Sequence, residues 1–234
     1  MTEMEAWTRA RMPVPSRAVR VVVAGGHGQV ARRLERLLST AGHTAVGIVR
    51  NPDHVGDVQA AGAEALLCDL EATDLDVVAA HLEGADAVVF AAGAGPGSGI
   101  PRKQTVDRDA SVLMADAAER AGVRRFVQVS SMGAGAPPGP GADETFAAYL
   151  RAKAEAEEDL RRRDLDWTVL RPGGLTNAPG TGRIRLGSSV PRGQISRDDV
   201  AAVVVGLLSD ARGIGQTLEL VAGDTPIEQA LEQL

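Results

Sequence analysis

Lysine is nearly missing from this chain of 234 residues: of its 25 cationic side chains only Lys103 and Lys153 are lysine, and the rest are arginine. Tyrosine occurs once, as Tyr149, beside three phenylalanines and two tryptophans. A single cysteine, Cys68, excludes an internal disulfide and a cysteine-rich zinc site, and its neighbourhood reads as a core position at a strand end. The four histidines show no paired ligand spacing, so no metal centre is expected. No apolar run, Ala201–Leu208 with its Gly206 included, approaches the ~20 residues a membrane helix needs. Net charge is −6, and the densest basic spot, Arg161–Arg163, is separated from Glu157, Glu158 and Asp159 by Leu160 alone. That pattern is a solvated helix face, so neither a nucleic-acid partner nor a membrane partner is expected.

What is present is an alternation. Short apolar, β-branched runs at Val19–Ala24, Thr44–Val49, Glu64–Leu67, Ala87–Phe90, Arg124–Val129 and Trp167–Leu170 read as strands. Amphipathic patterns near 29–41, 53–61, 74–82, 103–121 and 144–163 read as helices between them. Gly42, Gly62, Gly84 and Gly122 each follow a helical run, where a left-handed cap favours glycine. Strands apolar on both faces and spaced by helices imply a doubly wound parallel sheet. Residues 1–17 carry no apolar signal core and read as a flexible extension, which points to a cytoplasmic protein. Residues 18–234 read as one nucleotide-binding domain, in which 172–195 and 212–234 form a small C-terminal substrate lobe. In that lobe we expect a helix at 198–209, a strand at Gln216–Val221 and a closing helix from Pro226, with Ser196 capping the first and Arg197 at most a minor substrate contact.

The first strand runs into Gly25-Gly26-His27-Gly28-Gln29-Val30-Ala31 and then the first helix. Such a turn lets backbone N–H groups approach a pyrophosphate at the positive end of a helix, so Gly25, Gly28, Gln29 and Val30 are assigned to a dinucleotide. His27 reads as a turn residue. The second strand ends in Val49-Arg50-Asn51, with no acid where an NAD-binding protein holds the adenosine ribose. Arg50 can fork onto a 2′-phosphate, with Arg32 or Arg33 as a second cation, so NADP is expected in preference to NAD. Asp69 and Leu70, after the third strand, are placed to reach the adenine side.

Tyr149 and Lys153 stand four apart on a helix and share a face. A free tyrosine, with a pKa of about 10, is a poor acid–base group at neutral pH, and a neighbouring ammonium stabilises its phenolate. Chance placement of one of two lysines four after the only tyrosine is on the order of 1%, which argues against an ordinary surface pair.

On GGHGQVA, the Ala91-Ala92-Gly93 turn, VRRFVQVSS, YLRAK and Leu170-Arg171-Pro172-Gly173, the chain resembles an atypical short-chain dehydrogenase/reductase over about residues 19–210. The resemblance implies a Rossmann-type sheet with helices on both faces. It further implies cofactor contacts from Ala91, Ala92 and Gly93, a serine after the fifth strand polarising a carbonyl (Ser131 first, Ser130 next to it), and Asp107 supporting Lys153. Pro172, Gly173 and Leu175 would face the nicotinamide carboxamide, with Thr176 and Asn177 starting the substrate side. The function expected is NADP-dependent hydride transfer with a small carbonyl-type substrate, with Tyr149 as acid/base. A sugar epimerase or dehydratase is less expected, because little chain follows the sixth strand. The alternative from another class is a non-catalytic NADP(H)-binding redox sensor. The chain is expected to be a monomer or a weak homodimer.

Overall fold

The computed structural model describes residues 18–95, 97–137, 143–209 and 212–234. The N-terminal extension expected over residues 1–17 lies outside them. Seven parallel strands form the body of the sheet: β1 (Arg20–Ala24), β2 (Thr44–Val49), β3 (Glu64–Leu67), β4 (Ala87–Phe90), β5 (Arg125–Val129), β6 (Asp166–Pro172) and β10 (Gln216–Ala222). Their spatial order is β3-β2-β1-β4-β5-β6-β10, so the direction of winding reverses between β1 and β4. This is a Rossmann-type α/β fold. The six strands read from the sequence before residue 171 all form, with ends moved by no more than two residues.

Strand alternation fills two cores. Val21 and Val23 of β1 turn to one face, against Leu34 and Leu38 of α1 (Gln29–Thr40) and Val200, Val204 and Leu207 of α6 (Arg197–Ser209). Val22 and Ala24 turn to the other, with Val78 and Leu82 of α3 (Leu75–Leu82), Met114 of α4 (Ala110–Ala121) and Leu160 of α5 (Glu144–Arg161). The remaining helices are short: α2 (Val55–Ala60) and α7 (Ile227–Glu232). Gly42, Gly62, Gly84 and Gly122 all take positive φ, as their positions after helices require.

Two features were not visible in the sequence pattern. The helix expected over 103–121 begins as a single turn, Ile100–Arg102, and a π-helical stretch, Lys103–Asp109, before α4. The Gly- and Pro-rich segment after residue 172 contains three strands. β7 (Gly174–Thr176) and β9 (Gln194–Ser196) pair with each other, and β8 (Arg183–Gly187) runs antiparallel to β10 and β11 (Thr225–Pro226). Ser196 caps α6 as expected: its hydroxyl accepts from Asp199 N–H at 3.0 Å and donates to the Asp199 carboxylate at 2.9 Å. Asp199 also accepts from Thr181 N–H and Gly182 N–H, at 3.0 and 2.8 Å, which ties the approach to β8 onto the start of α6.

One buried acid sits just below the glycine turn. Glu35 of α1 is fully buried, its carboxyl has no hydrogen-bond partner among the described residues, and a Cβ on Gly47 of β2 would come within 2.5 Å of it. Burial, opposed by the nearby Arg32 charge, pushes its pKa up to about 8. The folded chain therefore keeps Glu35 protonated where the unfolded chain ionises it. Its unfavourable contribution is absent below pH ~4.5, grows as pH rises toward 8, and then levels off. We expect Glu35→Gln to gain stability over the natural chain by roughly 2–4 kcal/mol near pH 8 and by almost nothing at pH 4.5. Urea unfolding at several pH values checks this, and parallel pH profiles for the two proteins would contradict it.

Candidate functional site

The turn between β1 and α1 is built by exclusion of side chains. Gly25 has φ +82°, and a Cβ on it would lie 2.6 Å from Ala92 Cα, so only glycine lets the end of β4 come this close. Gly28 precedes α1 and its carbonyl accepts the first intrahelical bond, from Arg32 N–H at 2.9 Å. The N–H groups of Gln29, Val30 and Ala31 lie ahead of that bond and have no intrahelical acceptor. Among the described residues no side chain caps this helix, and its first turn carries no acid. A cavity of about 460 Å³ opens here, lined by Val49, Arg50, Asp69, Leu70 and Ala91–Gly93 among others. A second, of about 840 Å³, shares Gly28 and Ala91–Gly93 with it and continues past Gln29, Val30, Tyr149, Lys153 and Leu175. Together they make one groove at the carboxyl ends of the strands, at the point where the winding reverses. An uncapped helix N-terminus beside a cradle that a Cβ would fill suits a dinucleotide diphosphate.

At the first cavity Arg50 is not isolated. Its guanidinium lies 2.9 Å from Glu71, which also pairs with Arg102 at 2.5 Å and accepts from the Thr105 hydroxyl at 2.6 Å. Partial burial works the other way, yet the hydrogen bonds from Arg102 and Thr105 hold the Glu71 carboxyl below the usual range. Along the chain no acid stands beside Arg50 before Asp53, whereas Glu71 arrives from the loop after β3. Arg102, from the helix in front of the π-helical stretch, reaches the same carboxylate and is equally invisible to a local pattern. His27 stacks on His54 with ring centroids 3.6 Å apart and meets Asp57 at 2.7 Å, which fits a turn residue. Arg33 is taken by Asp198 of α6 at 2.5 Å, and Arg32 lies 3.5 Å from Asp57. Cys68 is buried, as expected of a core residue, and burial pushes its thiol pKa up.

At the second cavity α5 brings Tyr149 and Lys153 onto one face. Lys153 Nζ lies 3.2 Å from Asp107 Oδ1 and donates to the carbonyls of Ala92 at 3.1 Å and Val129 at 3.4 Å. The ammonium also sits 5.9 Å from the centre of the Tyr149 ring. Asp107, fully buried in the π-helical stretch, accepts from Ala94 N–H at 3.2 Å through its other oxygen. The two residues expected to cooperate are thus in direct contact. The two serines divide differently from the sequence reading. Ser130 lines the cavity, but its hydroxyl donates to Glu157 at 2.5 Å, while Ser131 is not among the lining residues and its hydroxyl reaches only Met132 O, at 3.5 Å. Leu175 lines the cavity and Pro172 and Gly173 do not. Pro172 is buried in the pairing of β6 with β10, and a Cβ on Gly173 would strike Gly193 O at 2.3 Å. Asn177 accepts from Arg197 at 3.0 Å, and Arg197 itself lines the cavity.

Comparison with known proteins places these features in a family. The model of an NAD(P)H-binding domain family matches residues 25–211. The uncharacterized sugar epimerase YhfK of Bacillus subtilis is 36% identical over 92% of this chain and 100% of its own length. Among solved structures, a Bacillus halodurans protein provisionally described as an NAD-dependent epimerase/dehydratase superposes with a TM-score of 0.85 at 36% identity, covering 93% of this chain and 100% of that one. The anaerobillin reductase ChuY of Escherichia coli O157:H7 gives 0.72 at 26% identity, covering 88% and 98%.

The Asp107–Lys153 contact carries a direct test. Both side chains are at least 97% buried, 3% and 0% being exposed, so removing either leaves the other charge without compensation. Asp107→Ala should lose about 3–5 kcal/mol in urea unfolding, and Asp107→Ala combined with Lys153→Met should recover much of that loss. Strict additivity of the two single changes would show that the charges do not depend on each other.

Proposed function

The chain belongs to the NAD(P)H-binding family, an oxidoreductase-like family of atypical short-chain dehydrogenase/reductase type, and from that premise we propose that it is an NADP-dependent oxidoreductase acting on a small carbonyl-type substrate. The observation that carries this reading is the meeting of Tyr149, Lys153 and Asp107 in the same groove as the uncapped turn. When bound, the reduced cofactor supplies the hydride. Tyr149 passes its hydroxyl proton to the substrate oxygen as charge develops there, and the Lys153 ammonium stabilises the phenolate left behind. Asp107 fixes the ammonium, and the longest Lys153 contact, to Val129 O, is the one a ribose hydroxyl would replace. Ser130 or Ser131 polarises the carbonyl. Ser130 has the better position, and a turn of its hydroxyl away from Glu157 would free it. Gly25, Gly28, Gln29 and Val30 receive the diphosphate, Arg50 the 2′-phosphate beside Glu71, and Asp69 and Leu70 the adenine side. Ala91, Ala92 and Gly93 form the floor between the two ends, and Leu175 covers the nicotinamide side. Pro172 and Gly173 serve only by shaping the backbone that leads to it.

Much of residues 173–234 completes the sheet as β8, β10 and β11 instead of enclosing the groove, which supports a small substrate over a nucleotide sugar. We place residues 18–234 in one domain with 172–195 and 212–234 as its substrate lobe, and we take the protein to be cytoplasmic and a monomer or a weak homodimer. No helix among the described residues is long and apolar enough to cross a membrane.

Tyr149→Phe should lower the rate of NADPH oxidation over a panel of aldehydes, ketones and quinones by about 100-fold or more while NADPH binding is unchanged. Tight NADPH binding with no turnover of any compound by the natural chain would instead support the sensor role. Arg50→Glu should weaken NADPH by roughly 10-fold or more and NADH far less, in fluorescence titration of the two cofactors. Equal loss for both would remove the 2′-phosphate contact.

A further inference from the structure

Lys103, the other lysine, is not used by the mechanism above. It stands at the start of the π-helical stretch, is 7% exposed and lines the larger cavity. Its ammonium donates to Gly95 O at 2.8 Å and to the Ser98 hydroxyl at 2.9 Å, and lies 5.7 Å from the centre of the Tyr149 ring. No carboxylate among the described residues is within ion-pair distance of it. Holding the segment around Gly95 and Ser98 would need only a neutral donor. A buried ammonium without a counter-charge is costly, and in a cavity the missing charge is that of a ligand.

The other charges of the cavity agree. Of its two carboxylates, Asp107 is paired with Lys153, and Asp143 accepts from Phe146 N–H at 2.7 Å as the cap of α5. Of its three cations, Lys103 and Arg197 remain, and the contact of Arg197 is with the neutral Asn177. In a chain of net charge −6 this cavity has a local excess of positive charge. Apolar surface lies in the same wall: Phe146 is 52% exposed and Leu175 39%.

We propose that Lys103, assisted by Arg197, binds a carboxylate of the substrate, so that the compound reduced here is a carbonyl acid with an apolar body and the compound oxidised is the matching hydroxy acid. This rests on the functional reading above and narrows it. The carboxylate takes the third ammonium donor of Lys103 and supplies the counter-charge, leaving the carbonyl to Tyr149.

Two probes test it on the full chain. 4-Carboxybenzaldehyde and methyl 4-formylbenzoate differ only in the charge, and their reduction with NADPH should favour the acid by about 10-fold or more in kcat/KM. Lys103→Met should remove that preference mainly through KM, and Lys103→Arg should keep part of it. Titration with benzoate and benzamide in the presence of NADP+ reads binding without turnover: benzoate should bind more tightly, and Lys103→Met should abolish the difference. Urea unfolding of Lys103→Met, with Ser98→Ala as a variant that loosens the same segment without removing the charge, separates a folding defect from a lost site. Equal use of acid and ester, or a benzoate affinity untouched by Lys103→Met, overturns the proposal while leaving the hydride-transfer reading intact. If neither aldehyde is reduced although NADPH binds, the functional reading fails. The benzoate titration then decides the carboxylate site alone, and equal or absent binding of benzoate and benzamide sinks it.

Discussion

The contact between Lys153 and Asp107 is the constraint around which the site is arranged. Four parts of the chain meet at one ammonium: α5 supplies the lysine, the π-helical stretch the carboxylate, the end of β4 the Ala92 carbonyl and the end of β5 the Val129 carbonyl. Neither charge is tolerable alone in this position, because each is shut away from water. Burial thus makes the arrangement cooperative. If α5 slid by one turn, Tyr149 would be displaced and two buried charges would lose each other together. The π-helical stretch has a clear place in this. Wider winding inside helices is frequent at functional sites, and here the stretch carries both Asp107 and Lys103.

A second buried acid braces the same helix one turn further on. Glu157, four residues after Lys153, is paired with Arg171 of β6 through both oxygens, at 2.9 and 2.5 Å, and with Arg161 at 2.6 Å. It also accepts from the Ser130 hydroxyl at the end of β5. The guanidinium of Arg171 meets the carboxylate as a fork, the geometry that resists rotation best. Tyr149, Lys153 and Glu157 therefore lie along one stripe, with Tyr149 at the end that lines the cavity and two charge contacts behind it. On the far side of β5, Arg125 does similar work through hydrogen bonds to neutral oxygens. It donates to the carbonyls of Asp166, Leu207 and Arg212 and to the Thr168 hydroxyl, joining β5 and β6 to the carboxyl end of α6. Burial lowers its pKa to about 10, still far above neutral, so the brace stays charged.

The parts legible in the sequence were those that local chemistry dictates. Val21–Ala24 and the other apolar runs could only be strands, the glycines after each helix had to turn, and Gly25 and Gly28 announced a close backbone approach. The pair at 149 and 153 followed from helix spacing alone. What stayed hidden depended on partners distant in the chain. Glu71 reaches Arg50 across 21 residues, and Glu157 captures Ser130 across 27, so no local pattern could reveal either. The strands β7, β8 and β9 were hidden for a different reason. Each is short, and their Gly- and Pro-rich surroundings carry no periodicity; β8 forms because β10 offers an edge and Asp199 holds residues 181 and 182 in place, while β7 and β9 pair with each other. Of the two serines after β5, Ser130 lines the cavity and Ser131 does not, a difference of one step along the chain that no local pattern announces.

The scarcity of lysine has a physical meaning once both lysines are located. Arginine serves this chain on its surface and at its braces, where a planar fork matches a carboxylate. At the cavity the requirement differs. Lys153 must satisfy two carbonyls and one carboxylate converging on a single point, and Lys103 a carbonyl and a hydroxyl, in spaces that leave each side chain under a tenth exposed. A compact ammonium with three donors can do that, whereas a guanidinium would need a flat slot and five acceptors. Both ammonium groups lie within 6 Å of the centre of the only tyrosine ring, at 5.7 and 5.9 Å. The composition therefore reflects a division of labour: charge that must be broad and permanent is arginine, and charge that must be compact, buried and close to Tyr149 is lysine.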